Sequence, residues 1–181
     1  MKTVFISDIH GLAEPLETAL RHAGEMRAER LVLLGDLLYN GPRNGKSAAA
    51  KLLDAVEIPV IAVRGNCDSA ADQAALRFPI MAESAEIDLD GRHFFLTHGH
   101  LQNGSRHPAL PPGTVIATGH THMAEIRPLP GGLTLFNPGS ISLPRDGSFG
   151  TFGVFDGHEL SILDLETGKP LGTWGGWDDE K

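Results

Sequence analysis

The chain has 181 residues, a length typical of one domain that buries a substantial core. Apolar residues make up 41% of it and charged residues 21%, which is usual for a globular protein. The formal net charge of −8 argues against broad electrostatic binding to nucleic acid or to an anionic membrane.

Cysteine content and the N-terminal residues indicate the compartment. Cys67 is the only cysteine, so no internal disulfide can form, as is usual in a reducing compartment. The first apolar run ends at Asp8, too early for a signal peptide. No stretch approaches the roughly 18 apolar residues of a membrane span. We therefore expect a cytoplasmic protein.

The first half of the sequence alternates between strand and helix patterns. TVFIS (3–7), RLVLLGD (30–36) and IPVIAV (58–63) read as buried strands. Residues 14–27 have apolar side chains at helical spacing, and residues 45–56 form a second predicted helix with Ser47 as a possible N-cap. This β-α-β-α-β order predicts parallel strands with helices on the faces.

From about residue 84 the pattern changes to short strands separated by Gly, Pro and Asp turns. Two packed sheets with helices outside would use both halves in a single domain, residues 1–170. The Gly-rich and acidic residues 171–181 are expected to form a frayed tail. The predicted strands of this half are SAEIDL (84–89), HFFLT (93–97), TVIATG (114–119), LTLFN (133–137), FGVF (152–155) and ELSILDL (159–165).

Five of the predicted strands are followed directly by Asp, Asn or His. Ligand sites in open α/β sheets form at the carboxyl ends of the strands, so we expect these side chains to lie close together. Each residue has an ordinary explanation alone: Asp36 could cap a turn, and His98 could be a satisfied core histidine. Their joint occurrence favours a site made of Asp8, His10, Asp36, Asn66, His98, His120 and His122.

The donor types and their spacing indicate a metal site. The pairs Asp8/His10 and His120/His122 have i, i+2 spacing, which in extended backbone puts both side chains on one face. Carboxylate, amide and imidazole ligands suit divalent Mn, Fe, Co or Zn. A thiolate-rich structural zinc site is excluded because there is one cysteine. Seven candidate ligands are too many for one tetrahedral ion, which favours two metals.

These residues also resemble a known family. Asp8-x-His10, Gly35-Asp36, Gly65-Asn66-x-Asp68, His98-Gly99 and Gly119-His120-x-His122 are similar, in order, to the motifs of the calcineurin-like metallophosphoesterase superfamily. The chain most resembles the YfcE-type phosphodiesterase family within it. That likeness includes GPRN (41–44), RGNCD (64–68), LTHGH (96–100) and FNPGS (136–140).

The resemblance implies a four-layer α/β/β/α sandwich with two divalent metal ions. Asp8, His10, Asp36 and His122 would hold one ion. Asp36, Asn66, His98 and His120 would hold the other, with Asp36 bridging. The favoured metal is Mn, and Ni, Fe, Co and Zn are alternatives. The resemblance also suggests a homo-oligomer, a dimer or a tetramer.

Cys67 departs from the superfamily pattern, which has a histidine that is thought to protonate the leaving group. Cys67 could be a small space-filling residue, a weak proton donor or, against the family pattern, a metal ligand. The catalytic candidates are Asp36, His10, Cys67 and His100, of which His10 is also a ligand. Candidate substrate-binding residues are Asn40, Arg43 and Asn44, which follow the second strand.

The expected function is a dinuclear metal-dependent phosphodiesterase, in which a bridging hydroxide attacks the phosphorus of a small phosphodiester. Three alternatives stay open. The chain could be a phosphomonoesterase, including a protein phosphatase, of the same fold. It could be a non-catalytic protein-binding scaffold. A nuclease is disfavoured by the acidic charge and by the absence of a basic stripe with aromatic residues.

Overall fold

The first half of the chain forms three parallel strands joined by helices, as predicted. The computed structural model describes residues 1–38, 47–145, 147 and 149–175. Strands β1 (Thr3–Ile6), β2 (Arg30–Leu33) and β3 (Val60–Ala62) pair in parallel. Helix α1 (Ala13–Glu25) connects the first two, and α2 (Ala48–Asp54) lies between the second and the third.

Local signals explain where the helices begin and end. The Ser47 side chain accepts a hydrogen bond from the backbone N–H of Ala50, so the predicted N-cap of α2 is confirmed. Helix α1 ends two residues before the predicted boundary, because Arg27 has the left-handed φ of 56° typical of a helix C-terminus. The helix α3 (Ala70–Ala75) was not predicted, although Ser69 and Asp72 form a capping box at its start.

A second sheet contains strands β4 (Ser84–Leu89), β5 (Arg92–Thr97), β6 (Val115–Ala117), β7 (Ala124–Leu129) and β8 (Leu133–Pro138). Their order in the sheet is β4-β5-β6-β8-β7. Strands β5, β6 and β8 run parallel, and β4 and β7 are antiparallel edges. Strand β7 was not predicted, because Pro128 and the charged residues at 125 and 127 hide its alternation.

The last strands return to the first sheet. Strands β9 (Thr151–Phe155), β10 (Leu160–Asp164) and β11 (Pro170–Trp174) complete the order β11-β10-β9-β1-β2-β3. The predicted tail boundary at residue 170 therefore falls inside β11. Pro170 and Gly172 argue against a central strand, but β11 is an exposed edge that pairs only with β10 among the described residues.

The two sheets pack face to face around an aromatic core, and the predicted α/β sandwich in one domain is confirmed. Phe5 of the first sheet stacks on Phe94 of the second at 5.6 Å between ring centroids, and meets Phe136 edge-on at 5.2 Å. All three rings are fully buried. Helices α1 and α2 pack on the outer face of the first sheet through a second apolar cluster that includes Leu16 and Leu53.

The outer face of the second sheet is covered differently. Beyond residue 75, the described part of the chain contains no helix. A small apolar cluster of Phe95, Ile116 and Leu135 lies on that face, with Leu110 of the β5–β6 connection packed against it. Because this cluster is small, the β5–β6 connection is enough to shield it from solvent. A loop therefore takes the place of the outer helical layer on this face. Among the described residues, no helix has the length and apolar character needed to cross a membrane.

The aromatic core predicts a steric effect at Gly153 of β9. A methyl group at this glycine would overlap with the ring of Phe136, which has no room to move between the sheets. We expect Gly153→Ala to lower the free energy of unfolding by about 1–3 kcal/mol, the usual cost of overpacking a core. Urea-induced unfolding followed by circular dichroism would measure it.

Gly172→Ala in β11 is the matched control, because no atom of the described residues, apart from its chain neighbours, lies within 4 Å of the methyl group it would add. Its free energy of unfolding should change by less than about 0.5 kcal/mol. Equal stability of the two variants would contradict the rigid intersheet packing.

Candidate metal centre

The structure brings the predicted ligand side chains together at one edge of the two sheets. They follow β1, β2 and β3 of the first sheet, and β5 and β6 of the second. Three overlapping groups have ligand atoms within 4.8 Å of one another: Asp8, His10 and His122; Asp8, Asp36 and His98; His10, Asp36 and Cys67. The carboxyl ends of strands from both sheets therefore form a single cluster.

One end of the cluster consists of Asp8, His10 and His122. The Nε2 atom of His122 lies 3.2 Å from Oδ1 of Asp8, and that of His10 lies 3.8 Å from the same oxygen. The two Nε2 atoms are 3.4 Å apart. Asp8 is fully buried and His122 nearly so. Three donor atoms thus point toward one small volume.

Asp36 lies between this end and the other. Its Oδ2 atom is 3.8 Å from Nε2 of His10 and 3.5 Å from Nε2 of His98. The Nε2 atom of His98 is also 3.1 Å from Oδ1 of Asn66. The ring of His120 stands 5.1 Å from that of His98, centroid to centroid, and is exposed. Asp36 is the residue that both ends share.

The convergence does not come from extended backbone, so that sequence-based argument was wrong. Asp8, His10, His120 and His122 all have left-handed φ angles, from 48° to 69°. As a result His122 joins Asp8 and His10, while His120 faces His98 instead. Five of the seven described non-glycine residues with positive φ are predicted ligands, with Asp36 the fifth. Such concentrated strain is typical of functional sites.

Backbone carbonyls orient two of the imidazoles. Nδ1 of His98 lies 2.7 Å from the carbonyl oxygen of Leu34, and Nδ1 of His122 lies 2.6 Å from that of Leu143. A carbonyl only accepts, so each Nδ1 donates its hydrogen. In the neutral imidazole the lone pair is then on Nε2, which points into the cluster. This is the arrangement that metal-binding histidines normally have.

Asp8 provides the test of whether the cluster fits a cation. Its Oδ2 atom accepts hydrogen bonds from the hydroxyl of Ser7 at 2.6 Å and from the backbone N–H of His120 at 3.0 Å. Its Oδ1 atom is buried, has no hydrogen-bond partner among the described residues, and faces the Nε2 atoms of His10 and His122. An orphaned carboxylate oxygen among imidazole nitrogens is costly unless a cation sits there. The residues present therefore fit a divalent metal.

Charge pairing within the cluster shifts several pKa values. Burial works to raise the pKa of Asp36, but hydrogen bonding and the charge of His98 outweigh it and hold that pKa well below its usual value. Burial works to lower the pKa of His98, and Asp36 and Asp8 reverse this and raise it. The adjacent Asp8 carboxylate likewise raises the pKa of His122. The Asp36 carboxylate thus stays ionised, which is the state a metal ligand requires.

A cleft of about 480 Å³ opens over the cluster. We call it the metal cleft. Leu12, Leu143 and Arg145 line it together with six of the site residues, His10, Asp36, Asn66, Cys67, His120 and His122. A small molecule that enters this cleft would therefore contact the cluster residues, the apolar side chains of Leu12 and Leu143, and the guanidinium group of Arg145.

Comparison with known proteins identifies the family. Residues 1–159 match the calcineurin-like phosphoesterase superfamily domain. The chain is 43% identical over 173 residues to phosphodiesterase YfcE of Escherichia coli K12, across 91% of this chain and 92% of that protein. The chain belongs to the calcineurin-like phosphoesterase superfamily. It is also 34% identical over 154 residues to the probable metallophosphoesterase YsnB of Bacillus subtilis, across 80% of this chain and 78% of that protein.

Solved structures agree with this assignment. The structure of YfcE, described as a phosphoesterase from E. coli, superposes with a TM-score of 0.85 at 42% identity, covering 97% of this chain and 99% of that one. Vps29 from Entamoeba histolytica in complex with zinc has a TM-score of 0.63 at 21% identity, covering 96% and 97%. The second likeness shows the fold alone.

In this calcineurin-like phosphoesterase the three possible roles of Cys67 stay open. Its backbone N–H donates to Oδ1 of Asp36 at 2.8 Å, and its sulfur accepts from Nδ2 of Asn66 at 3.2 Å. Burial, followed by the hydrogen bond and charge of Asp36, raises the pKa of the thiol to about 12. The sulfur lies within the candidate ligand group of His10 and Asp36. This geometry suits each of the three roles: a space-filling residue, a weak proton donor or a metal ligand.

His100 stands at the edge of the cluster rather than within it. Its ring centroid is 5.4 Å from that of His98 and 6.2 Å from that of His120. Burial, followed by the charge of His98, lowers its pKa, and its Nδ1 atom is buried without a hydrogen-bond partner. The predicted substrate-binding residues Asn40, Arg43 and Asn44 lie outside the described residues.

Several residues that shape the site were missed as functional by sequence reasoning. The FNPGS motif was noted without roles. Ser140 in it donates to the backbone carbonyl of Asp8 at 2.9 Å, and Asn137 donates to that of Gly119 at 2.8 Å. Arg145 lies five residues beyond this motif and lines the metal cleft. Only its closeness to FNPGS in the sequence could have indicated it.

Asp68 is a positioning residue whose role the sequence left in doubt. Its carboxylate is almost fully buried and accepts hydrogen bonds from the backbone N–H groups of Asp36 and Leu37, both at 2.8 Å, and of Gly65 at 2.7 Å. It thereby ties the loop after β3 to the loop after β2, so that Asn66 and Asp36 are held at a fixed separation.

This role predicts the effect of Asp68→Asn. An amide retains the shape but offers one acceptor oxygen in place of two, and its NH₂ group would face a backbone N–H. We expect a loss of metal affinity of about 10- to 100-fold, the usual effect of removing a group that orients ligands. Titration calorimetry with Mn²⁺ on the chelator-treated protein would measure it.

Asp156→Asn is the control, since this carboxylate also accepts two backbone N–H groups but in an exposed turn away from the cluster. Its metal affinity should equal that of the wild type. Unchanged affinity in Asp68→Asn, with an unchanged melting temperature, would rule out the positioning role.

Proposed function

We propose that the chain is a metal-dependent phosphodiesterase that hydrolyses a small phosphodiester. The observation that carries the proposal is the Asp36 carboxylate between two sets of donors, 3.8 Å from His10 and 3.5 Å from His98. Further support comes from the 43% identity to phosphodiesterase YfcE across 92% of that protein. The reaction class follows from the family and the site together.

Asp8, His10, Asp36 and His122 would hold one divalent ion. Asp36, Asn66, His98 and His120 would hold the second, and Asp36 would be common to both. Mn²⁺ is the proposed metal, and Ni, Fe, Co and Zn share the same preference for imidazole and carboxylate ligands. When bound, such ions activate water at neutral pH and neutralise charge on a phosphoryl group.

The chain's own residues prepare the site for this chemistry. The Leu34 and Leu143 carbonyls hold the imidazoles of His98 and His122 with Nε2 toward the cluster. Arg145 on the wall of the metal cleft brings a positive charge to a protein of net charge −8, which favours entry of an anionic phosphoester. Asn40, Arg43 and Asn44 stay predicted substrate contacts.

The roles of His100 and Cys67 differ from those of the ligands. His100 is 5.4 Å from the ring of His98, close enough to contact a phosphoester arm or to orient water at the cluster edge. Cys67 lines the metal cleft, and its thiol replaces the imidazole of the superfamily pattern. We propose that substrates with good leaving groups are favoured, since general-acid help is worth about 10²–10⁴ in rate.

The remaining assignments rest on composition and resemblance. We propose a cytoplasmic protein, supported by the single cysteine, and a homo-oligomer, dimer or tetramer, supported by the family resemblance. The substrate is a small molecule, with no stable nucleic-acid partner and no membrane partner. The alternatives are a phosphomonoesterase or protein phosphatase of this fold, and a metal-binding scaffold without turnover.

The proposal is tested by restoring metals to the chelator-treated protein one at a time. Bis-p-nitrophenyl phosphate and p-nitrophenyl phosphate are assayed with Mn²⁺, Ni²⁺, Zn²⁺ and Mg²⁺, and bound metal is counted. We expect metal-dependent cleavage with a strong preference for the diester. Preference for the monoester would favour the phosphomonoesterase, and two bound metals without turnover of either ester would favour the scaffold.

Asp36→Asn should abolish activity in the same assay, because the amide has no negative charge to share between two ions. We expect turnover to fall by at least about 10³-fold, the loss typical of removing a group that stabilises developing charge. Asp88→Asn is the control, since this carboxylate lies at an exposed position of β4 paired with His93. A variant at position 36 that keeps more than about a tenth of wild-type turnover would contradict the bridging role.

Cys67→His tests the missing general acid. An imidazole on this wall of the metal cleft would supply a proton donor with a pKa of about 6.5. We expect higher turnover of diesters with poor leaving groups, such as dialkyl phosphates, or turnover of a broader range of esters. Equal or lower rates with the metal content unchanged would show that a missing acid does not limit this enzyme.

A further inference from the structure

A second cleft, of about 750 Å³, borders the metal centre on the other side of His120. We call it the side cleft. His120 lines both clefts, and His100 lines the side cleft. The His120 ring is 5.1 Å from that of His98, whose Nε2 atom is 3.5 Å from Asp36. A phosphoryl group held at the cluster therefore has one cleft on each side of it.

The walls of the side cleft are polar. Arg127 and Glu125 of β7 form an ion pair there, with Nε and Oε2 2.9 Å apart and both side chains at least a third exposed. This bond uses one of the five N–H donors of the guanidinium. His107 directs Nδ1 to the carbonyl of Pro108 at 2.8 Å, so its Nε2 atom is an acceptor in the neutral ring. The walls thus offer both hydrogen-bond donors and acceptors.

Part of the lining of the side cleft is apolar, since Leu129, Pro130 and Leu135 belong to it. Polar groups beside an apolar surface suit a ligand with hydroxyl groups on one side and C–H bonds on the other, as in a polyol or a sugar. Because the charged pair offers both a donor and an acceptor, neighbouring hydroxyl groups could bind it together.

The metal cleft differs in character. Leu12 and Leu143 on its rim are 45% and 47% exposed, which is unusual for leucine beside a polar cluster. They offer an apolar surface to an aromatic or alkyl group. Two unlike clefts at one phosphoryl site match a substrate with two unlike ester groups.

We propose that the side cleft binds a hydroxyl-bearing ester arm of the substrate, such as glycerol or a sugar, so that the natural substrate is an unsymmetrical phosphodiester. The second arm, aromatic or alkyl, lies in the metal cleft. Arg127 and His107 determine specificity for the hydroxyl-bearing arm. This inference rests on the proposed function, whose failure the following experiment separates from its own.

Two synthetic diesters that differ only in hydroxyl groups provide the test, 2,3-dihydroxypropyl p-nitrophenyl phosphate and propyl p-nitrophenyl phosphate. With the Mn²⁺-loaded protein we expect kcat/KM to be about tenfold higher for the dihydroxypropyl ester, the worth of one hydrogen bond to a charged group. That ratio should fall about tenfold in Arg127→Met for the same reason, and by roughly two- to tenfold in His107→Ala, whose neutral ring offers an uncharged hydrogen bond. His107 is on an exposed loop, so its variant folds even if the other does not.

Arg21→Met is the matched control, because Arg21 forms a similar ion pair with Glu25, at 2.8 Å, on the outer helix α1. Its ratio should equal that of the wild type. A wild-type ratio at or below one would overturn the inference, as would a ratio unchanged in both side-cleft variants.

Binding without turnover separates the two proposals. Titration calorimetry of the same Mn²⁺-loaded proteins with glycerol 1-phosphate and propyl phosphate shares the phosphate contribution, so the difference in affinity reports on the side cleft. If neither diester is cleaved, the proposed function fails, and tighter binding of glycerol 1-phosphate that is lost in Arg127→Met still supports the side cleft. Equal binding of the two phosphates overturns the side-cleft inference whatever the turnover.

Discussion

The contact of Phe5 with Phe94 and Phe136 is the interaction on which the site depends. Two of these rings stand on strands that lead directly into the site, since Phe5 shortly precedes Asp8 and Phe94 shortly precedes His98. Their stacking sets the distance and angle between the two sheets. Because each sheet supplies only part of the cluster, a shift of one sheet against the other would separate His98 and His122 from Asp36 and Asp8.

Around this core, the local backbone aims the side chains. The strand ends turn sharply, with left-handed φ angles at Asp8, His10 and Asp36 after the first two strands. Gly35 in the loop after β2 and Gly65 in the loop after β3 lie against each other, with no room for a side chain at either position. Asp68 then ties the loops together by accepting three backbone N–H groups. Strain in the backbone is thus balanced by hydrogen bonds that a single buried carboxylate provides.

Contacts between carboxylates and imidazoles stabilise the cluster in a protein of negative net charge. Two buried carboxylates, Asp8 and Asp36, face imidazoles whose Nδ1 atoms are engaged by backbone carbonyls. The orphaned Oδ1 atom of Asp8 marks the position where a cation completes the network. The scaffold alternative would not require this full set of donors, since protein binding uses the outer surface. The donor set together with two clefts of unlike character therefore favours catalysis on a small phosphodiester.

The parallel β-α-β-α-β half, the strand-rich second half and the identity of the cluster residues could be predicted from the sequence. It could do so because buried strands read as apolar runs, and because polar residues that follow such runs share one edge of a sheet. The motifs of the superfamily added the order in which those residues recur.

The pairing of these residues depends on the packing of the whole chain and could not be predicted. His120 and His122 separate, against the expectation from i, i+2 spacing, because both have left-handed backbone. The backbone N–H of His120 donates to Asp8, and the side chain of His122 is held by the carbonyl of Leu143. Strands β7 and β11 form on sheet edges, where pairing with a neighbour overrides the Pro and Gly residues that argue against a strand. The roles of Asp68, Ser140 and Arg145 also depend on loops more than 30 residues apart meeting in space, which local patterns do not encode.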